Sequence, residues 1–147
     1  MNPAVPVSSA HRVSPAIRAA AVLYLALGIG FGVGAAITLD HLRREHELPM
    51  TPFGFRSLAG GPFEKLPPEQ FAALGWALVG VCALDVGSAA LLWRGRRDGA
   101  VLGLATTPVA LIMAAGFALP FLLVGVPIRV GLVLAGRRSL TTNGRSG

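Results

Sequence analysis

Charge is scarce in this chain. Only 14% of its 147 residues are Asp, Glu, Lys or Arg, against roughly 25% in an average soluble domain. Hydrophobic residues make up 53%, and a soluble fold of this length has no room to hide so much apolar surface. A soluble globular protein is therefore excluded, and so is a disordered one, which needs low hydrophobicity. Cysteine is almost missing as well. Cys82 stands alone, so no intrachain disulfide can form. The sequence has no Gly-x-Ser-x-Gly, Walker or Cys-x-x-Cys pattern, and its three histidines lie outside the apolar runs. With no nucleophile–base constellation in sight, neither an enzyme nor a cofactor is expected. Acidic residues are outnumbered, 7 against 13 basic ones, for a net charge of +6. In a soluble protein that excess would point to nucleic acid. Here the basic residues sit in short clusters between apolar runs, where they hold loops on the cytoplasmic side of a membrane. The expected partner is the lipid bilayer, with no nucleic acid.

Four apolar runs are present, at about residues 16–39, 70–93, 100–119 and 121–136. A spanning helix needs about 20 apolar residues, and the first three runs meet that length. Ser14 and Pro15 suit the start of the first helix. Pro120 marks a turn between the last two runs, which should form a tight hairpin. The expected fold is all-α: an integral membrane four-helix bundle at 16–138, with a long extracytoplasmic loop between helices 1 and 2. Residues 1–15 read as a disordered tail and 139–147 as a flexible one. The first run exceeds the 7–15-residue core of a signal peptide, so an uncleaved anchor is expected.

Loop charge gives the orientation. With the N-terminus inside, the inner segments carry Arg12, Arg18, Arg94, Arg96, Arg97, Arg137, Arg138 and Arg145, eight basic residues. The outer segment, about 40–69, carries four: Arg43, Arg44, Arg56 and Lys65. That bias places both termini in the cytoplasm and the chain in the inner (plasma) membrane.

The run Gly28, Gly30, Gly32, Gly34 approximates the Gly-x-Gly-x-x-Gly/Ala nucleotide fingerprint from Gly30, ending at Ala35. The fingerprint requires a strand-to-helix turn, whereas this run lies inside a spanning segment. Its two small-xxx-small pairs, Gly28/Gly32 and Gly30/Gly34, suit close helix packing, within the chain or against another. The segment "DHLRREHEL" holds the potential metal ligands Asp40, His41, Glu45, His46 and Glu47. His41 and His46 are five apart, about 140° from each other on a helix, and Arg43 and Arg44 stand between them. No metal site is expected there. The i, i+4 pairs Asp40/Arg44 and Arg43/Glu47 fit a solvated extension of the first helix. The rest of the outer loop is apolar, with Met50, Phe53, Phe55, Leu58, Phe63 and Leu66. It reads as a packed cap over the bundle or as a lid on a cavity.

Two charges interrupt the apolar runs. Asp85 lies eight residues before Trp93, and Arg129 eight before Arg137. At about 1.5 Å per residue each sits roughly 12 Å from the same surface, so the two are expected to pair. Tyr24, Thr106 and Thr107 fall near that depth and complete a polar layer. A lone intramembrane Asp also occurs in proton-coupled transport.

The layout of four helices, a long first loop and a tight final hairpin resembles the small DoxX-like bacterial membrane proteins. The stretch "PMTPFGFRSLAGGPFE" resembles loops of other four-helix bacterial proteins. These resemblances imply the fold and carry no residue-level mechanism. Two functions are expected to compete. One is an accessory subunit or homo-oligomer acting through helix packing. The other is a small transporter or permeation subunit using the Asp85/Arg129 pair.

Overall fold

The computed structural model describes residues 13–50, 54 and 56–140. Four helices carry the chain up and down: α1 (Pro15–Glu45), α2 (Pro68–Trp93), α3 (Arg97–Gly116) and α4 (Pro120–Gly136). Each is long and apolar enough to cross a membrane when α4 is taken with the 3₁₀ turn Arg137–Ser139 that follows it. The chain is a small multi-pass membrane protein with an all-α four-helix bundle. Most of the tails expected at 1–15 and 139–147 lies outside the described residues, as do Phe53 and Phe55 of the loop.

Local chemistry sets the helix ends. Ser14 caps α1, its hydroxyl accepting from the Ile17 amide at 3.3 Å, and Pro15 occupies the first turn, where its missing N–H costs nothing. At the other end, α1 continues past its apolar run to Glu45 as the expected solvated extension, which carries the Asp40–Arg44 pair at 2.9 Å. His46 then turns left-handed (φ 57°) and its amide closes on the Leu42 carbonyl. The helix therefore stops before Glu47, and the expected Arg43/Glu47 helical pair has no helix to stand on. The last two helices form the expected tight hairpin, its turn lying just before Pro120. Pro120 opens α4, and the turn is Phe117–Leu119, with Ala118 left-handed (φ 49°).

The helices form a ring in which α1 packs on α2 and α4, and α3 packs on α2 and α4. Two apolar clusters fill the interior. One, at the α1 N-terminal end, gathers Ile17, Tyr24, Leu92 and Val133. The other, toward the opposite end, gathers Phe71, Leu78, Met113, Phe117 and Val126. Large apolar side chains also face outward on every helix, among them Ile29, Trp76, Ile112 and Val124. An apolar exterior is what lipid contact requires.

The loop between α1 and α2 folds over the second cluster. A short 3₁₀ turn, Pro62–Lys65, brings Phe63 edge-on to Phe117 with ring centroids 5.1 Å apart. Phe117 in turn meets Phe71 edge-on at 5.4 Å. Gly116 gives the Phe63 ring its room, since a Cβ there would strike it. This part of the loop is a packed cap.

Candidate functional site

Between the two apolar clusters lies a thin polar layer. Asp85 on α2 is 4% exposed and Arg129 on α4 is 0% exposed. Arg129 Nη1 donates to Asp85 Oδ2. Equal depth makes this contact possible: both helices run toward the basic end, and each charge lies a little over two turns from it. In hydrocarbon an unpaired charge costs at least about 2.5–3.5 kcal/mol on insertion scales, so the pair fixes α2 against α4.

The other residues of the layer divide into two groups. Thr106 on α3 is buried and stands 3.5 Å from Asp85 Oδ1 and 3.1 Å from the Gly103 carbonyl. A hydroxyl has one proton to donate, and the shorter contact is the one to its own helix. Thr107 Oγ1 also donates to the Gly103 carbonyl, at 2.8 Å, and makes no bond to the ion pair. These hydroxyls look inward along α3 just before Pro108, which lacks the amide that would serve the Leu104 carbonyl. Tyr24 joins the layer through its ring. The Arg129 guanidinium carbon lies 4.2 Å above the ring centroid, a cation–π contact. Beside it Gly103 is required, since a Cβ there would come within 2.6 Å of Tyr24 Cζ.

One feature of the layer lay beyond sequence reasoning. A guanidinium carries five N–H donors, and only one meets the carboxylate. Arg129 Nε and Nη2 are buried without a hydrogen-bond partner among the described residues. The signal for Tyr24 was present as an aromatic at the depth of Arg129. The monodentate geometry was not, because it depends on the approach angle of two helices.

The four glycines of α1 separate into two faces. Gly28 and Gly32 pack on α2: a Cβ at either would lie 2.9 Å from Cys82 or Val86 atoms. Their packing partner is thus in the same chain. Gly30 and Gly34 are exposed, and a methyl group at either would meet nothing within 4 Å. At the C-terminal end of α1, His41 is exposed and His46 forms the helix cap.

Compared with known proteins, this chain matches no family model, no curated protein and no solved structure.

Proposed function

We propose that this protein is a non-catalytic membrane component that works by helix association, as an accessory subunit or as a homo-oligomer. The observation that carries this reading is the outward face of α1. Gly30 and Gly34 are one turn apart, exposed and open, with exposed Ala26 one turn before them. Lipid gives helices no hydrophobic reason to associate, so small residues that let backbones approach closely are how such contacts are made. Gly28 and Gly32 already serve the bundle, which leaves this second pair for a partner. Basic residues cluster at the end holding Arg18, Arg94, Arg96, Arg97, Arg137 and Arg138, which supports an inner-membrane placement with both termini cytoplasmic.

The test is the mass of the protein in mild detergent, with and without the double change Gly30→Leu/Gly34→Leu. We expect a complex that the double change dissociates and that Val124→Leu, at an exposed apolar position on α4, leaves whole. A monomeric wild type that co-purifies with no protein would overturn the reading.

A second reading has its own support. The unpartnered donors of Arg129 beside Asp85 are what a small transporter or permeation subunit would use to hold an anion or pass a proton. It requires that Asp85→Asn abolish a transport phenotype while the protein stays folded.

A further inference from the structure

We infer that the groove between the start of α3 and the end of α4 binds the headgroup of an anionic phospholipid. The groove has a volume of about 450 Å³ and is lined by Arg97, Arg137, Arg138, Ala100, Val101, Leu104 and Leu140. Its two halves differ in chemistry. Arg97 stands at the first position of α3, and Arg137 and Arg138 follow the last residue of α4. All three are exposed. Ala100, Val101 and Leu104 continue down α3 from Arg97 on one face, at spacings of three and four residues, toward the bilayer interior. An amphiphile with a negative head and an apolar tail fits that order of groups.

Charge at this site is not cancelled from within. The acid nearest in sequence, Asp98, is held by Arg96 at 2.5 Å and does not line the groove. The first turn of α3 adds to the positive field. Its N-cap, Arg96, makes no side-chain capping bond, and the acid of that turn, Asp98, is taken up by Arg96. The carbonyls ending α4 draw on Arg137 and Arg138, but each guanidinium has five donors and retains several for phosphate. Basic pockets between helices at a membrane surface hold lipid headgroups in this way. A free phosphate ion would use the same arginines. The apolar floor favours the lipid, because only a lipid has a chain to lay on Val101 and Leu104.

The experiment is native mass spectrometry of the full chain in detergent. Dioleoyl phosphatidylglycerol and dioleoyl phosphatidylcholine are added in parallel, and the thermal midpoint is measured in the same samples. We expect phosphatidylglycerol to bind and to raise the midpoint more than phosphatidylcholine does. Each surface arginine is worth roughly a five-fold gain in anionic-lipid affinity, so Arg97→Gln/Arg137→Gln/Arg138→Gln should weaken binding on the order of 100-fold. The control Arg43→Gln/Arg44→Gln/Arg56→Gln removes equal charge from the other end and should leave binding unchanged. Should the first triple variant fail to fold, wild-type protein decides the matter through the two lipids and glycerol phosphate. Equal binding of the two lipids would overturn the proposal. So would glycerol phosphate binding as tightly as the lipid, which would make this a soluble-anion site. Retained binding in a folded Arg97/Arg137/Arg138 variant, or displacement of the lipid by an acidic peptide at equal concentration, would overturn it too.

Discussion

Removing the charge of Asp85 should hurt more than removing that of Arg129. The two share one contact, and both are enclosed, at 4% and 0% exposure. A carboxyl left alone can take up a proton and become neutral, whereas a guanidinium keeps its charge. Asp85→Asn therefore leaves a permanent cation in the core, with only an amide and the Tyr24 ring near it. Breaking a buried pair from one side costs about 3–5 kcal/mol, and we place Asp85→Asn in that range. Arg129→Gln leaves a group that can neutralise itself, and its cost should be about 1–3 kcal/mol, that of a buried neutral polar group short of a partner. The double variant buries two neutral amides able to bond each other, so it should recover about 2 kcal/mol or more of the summed loss, within the range of coupling between contacting residues. The measurement is reversible unfolding in mixed micelles at rising dodecyl sulfate fraction, followed by far-ultraviolet circular dichroism on all four proteins. Additivity within about 0.5 kcal/mol, the spread seen for independent sites, would show that the two charges do not depend on each other. Arg129→Gln costing more than Asp85→Asn would refute the argument from protonation.

Gly103→Ala drives a methyl into the Tyr24 ring and should cost about 1–3 kcal/mol by overpacking, read as a fall in thermal midpoint. Gly80→Ala, with nothing within 4 Å of its methyl, should change that midpoint little. Phe63→Ala removes the ring that seals the loop on Phe117; it should destabilise by about 2 kcal/mol, less than a fully buried Phe, and should speed protease cleavage near Gly60. Reporter fusions after Gly60 should behave as extracytoplasmic and those after Asp98 as cytoplasmic, and the opposite pattern would invert the assigned orientation.

The helices are legible in the sequence because lipid leaves a strong mark: about 20 apolar residues in a row have few other uses. Depth is legible for the same reason. Counting residues from the basic ends sets Asp85 and Arg129 level, and the structure has them hydrogen-bonded. Facing is harder to read. Spacing alone gave Gly28/Gly32 and Gly30/Gly34 equal standing, yet only the first pair meets α2, since a helix apolar all round carries no mark of which side is inside. Thr107 shows the same limit: its depth fits the polar layer and it stands beside Tyr24, but depth alone does not show that its hydroxyl donates to the Gly103 carbonyl. The residue at which each helix stops depended on turn geometry at His46 and Ala118, both left-handed without being glycine. The arginine groove joins residues about 40 positions apart and becomes visible only when α3 and α4 lie side by side.

The unequal helices have a consequence for the surrounding membrane. With 31 residues α1 is about 46 Å long, whereas α4 and the 3₁₀ turn that follows it reach about 31 Å over 20 residues. A typical hydrocarbon core is about 30 Å thick. The first helix therefore has length to spare for tilting and the last has none. In a thicker bilayer α1 would adjust by standing more upright, whereas the lipid beside α4 would have to thin, at a fraction of a kcal/mol per ångström. Sensitivity to membrane thickness thus resides on the α4 flank.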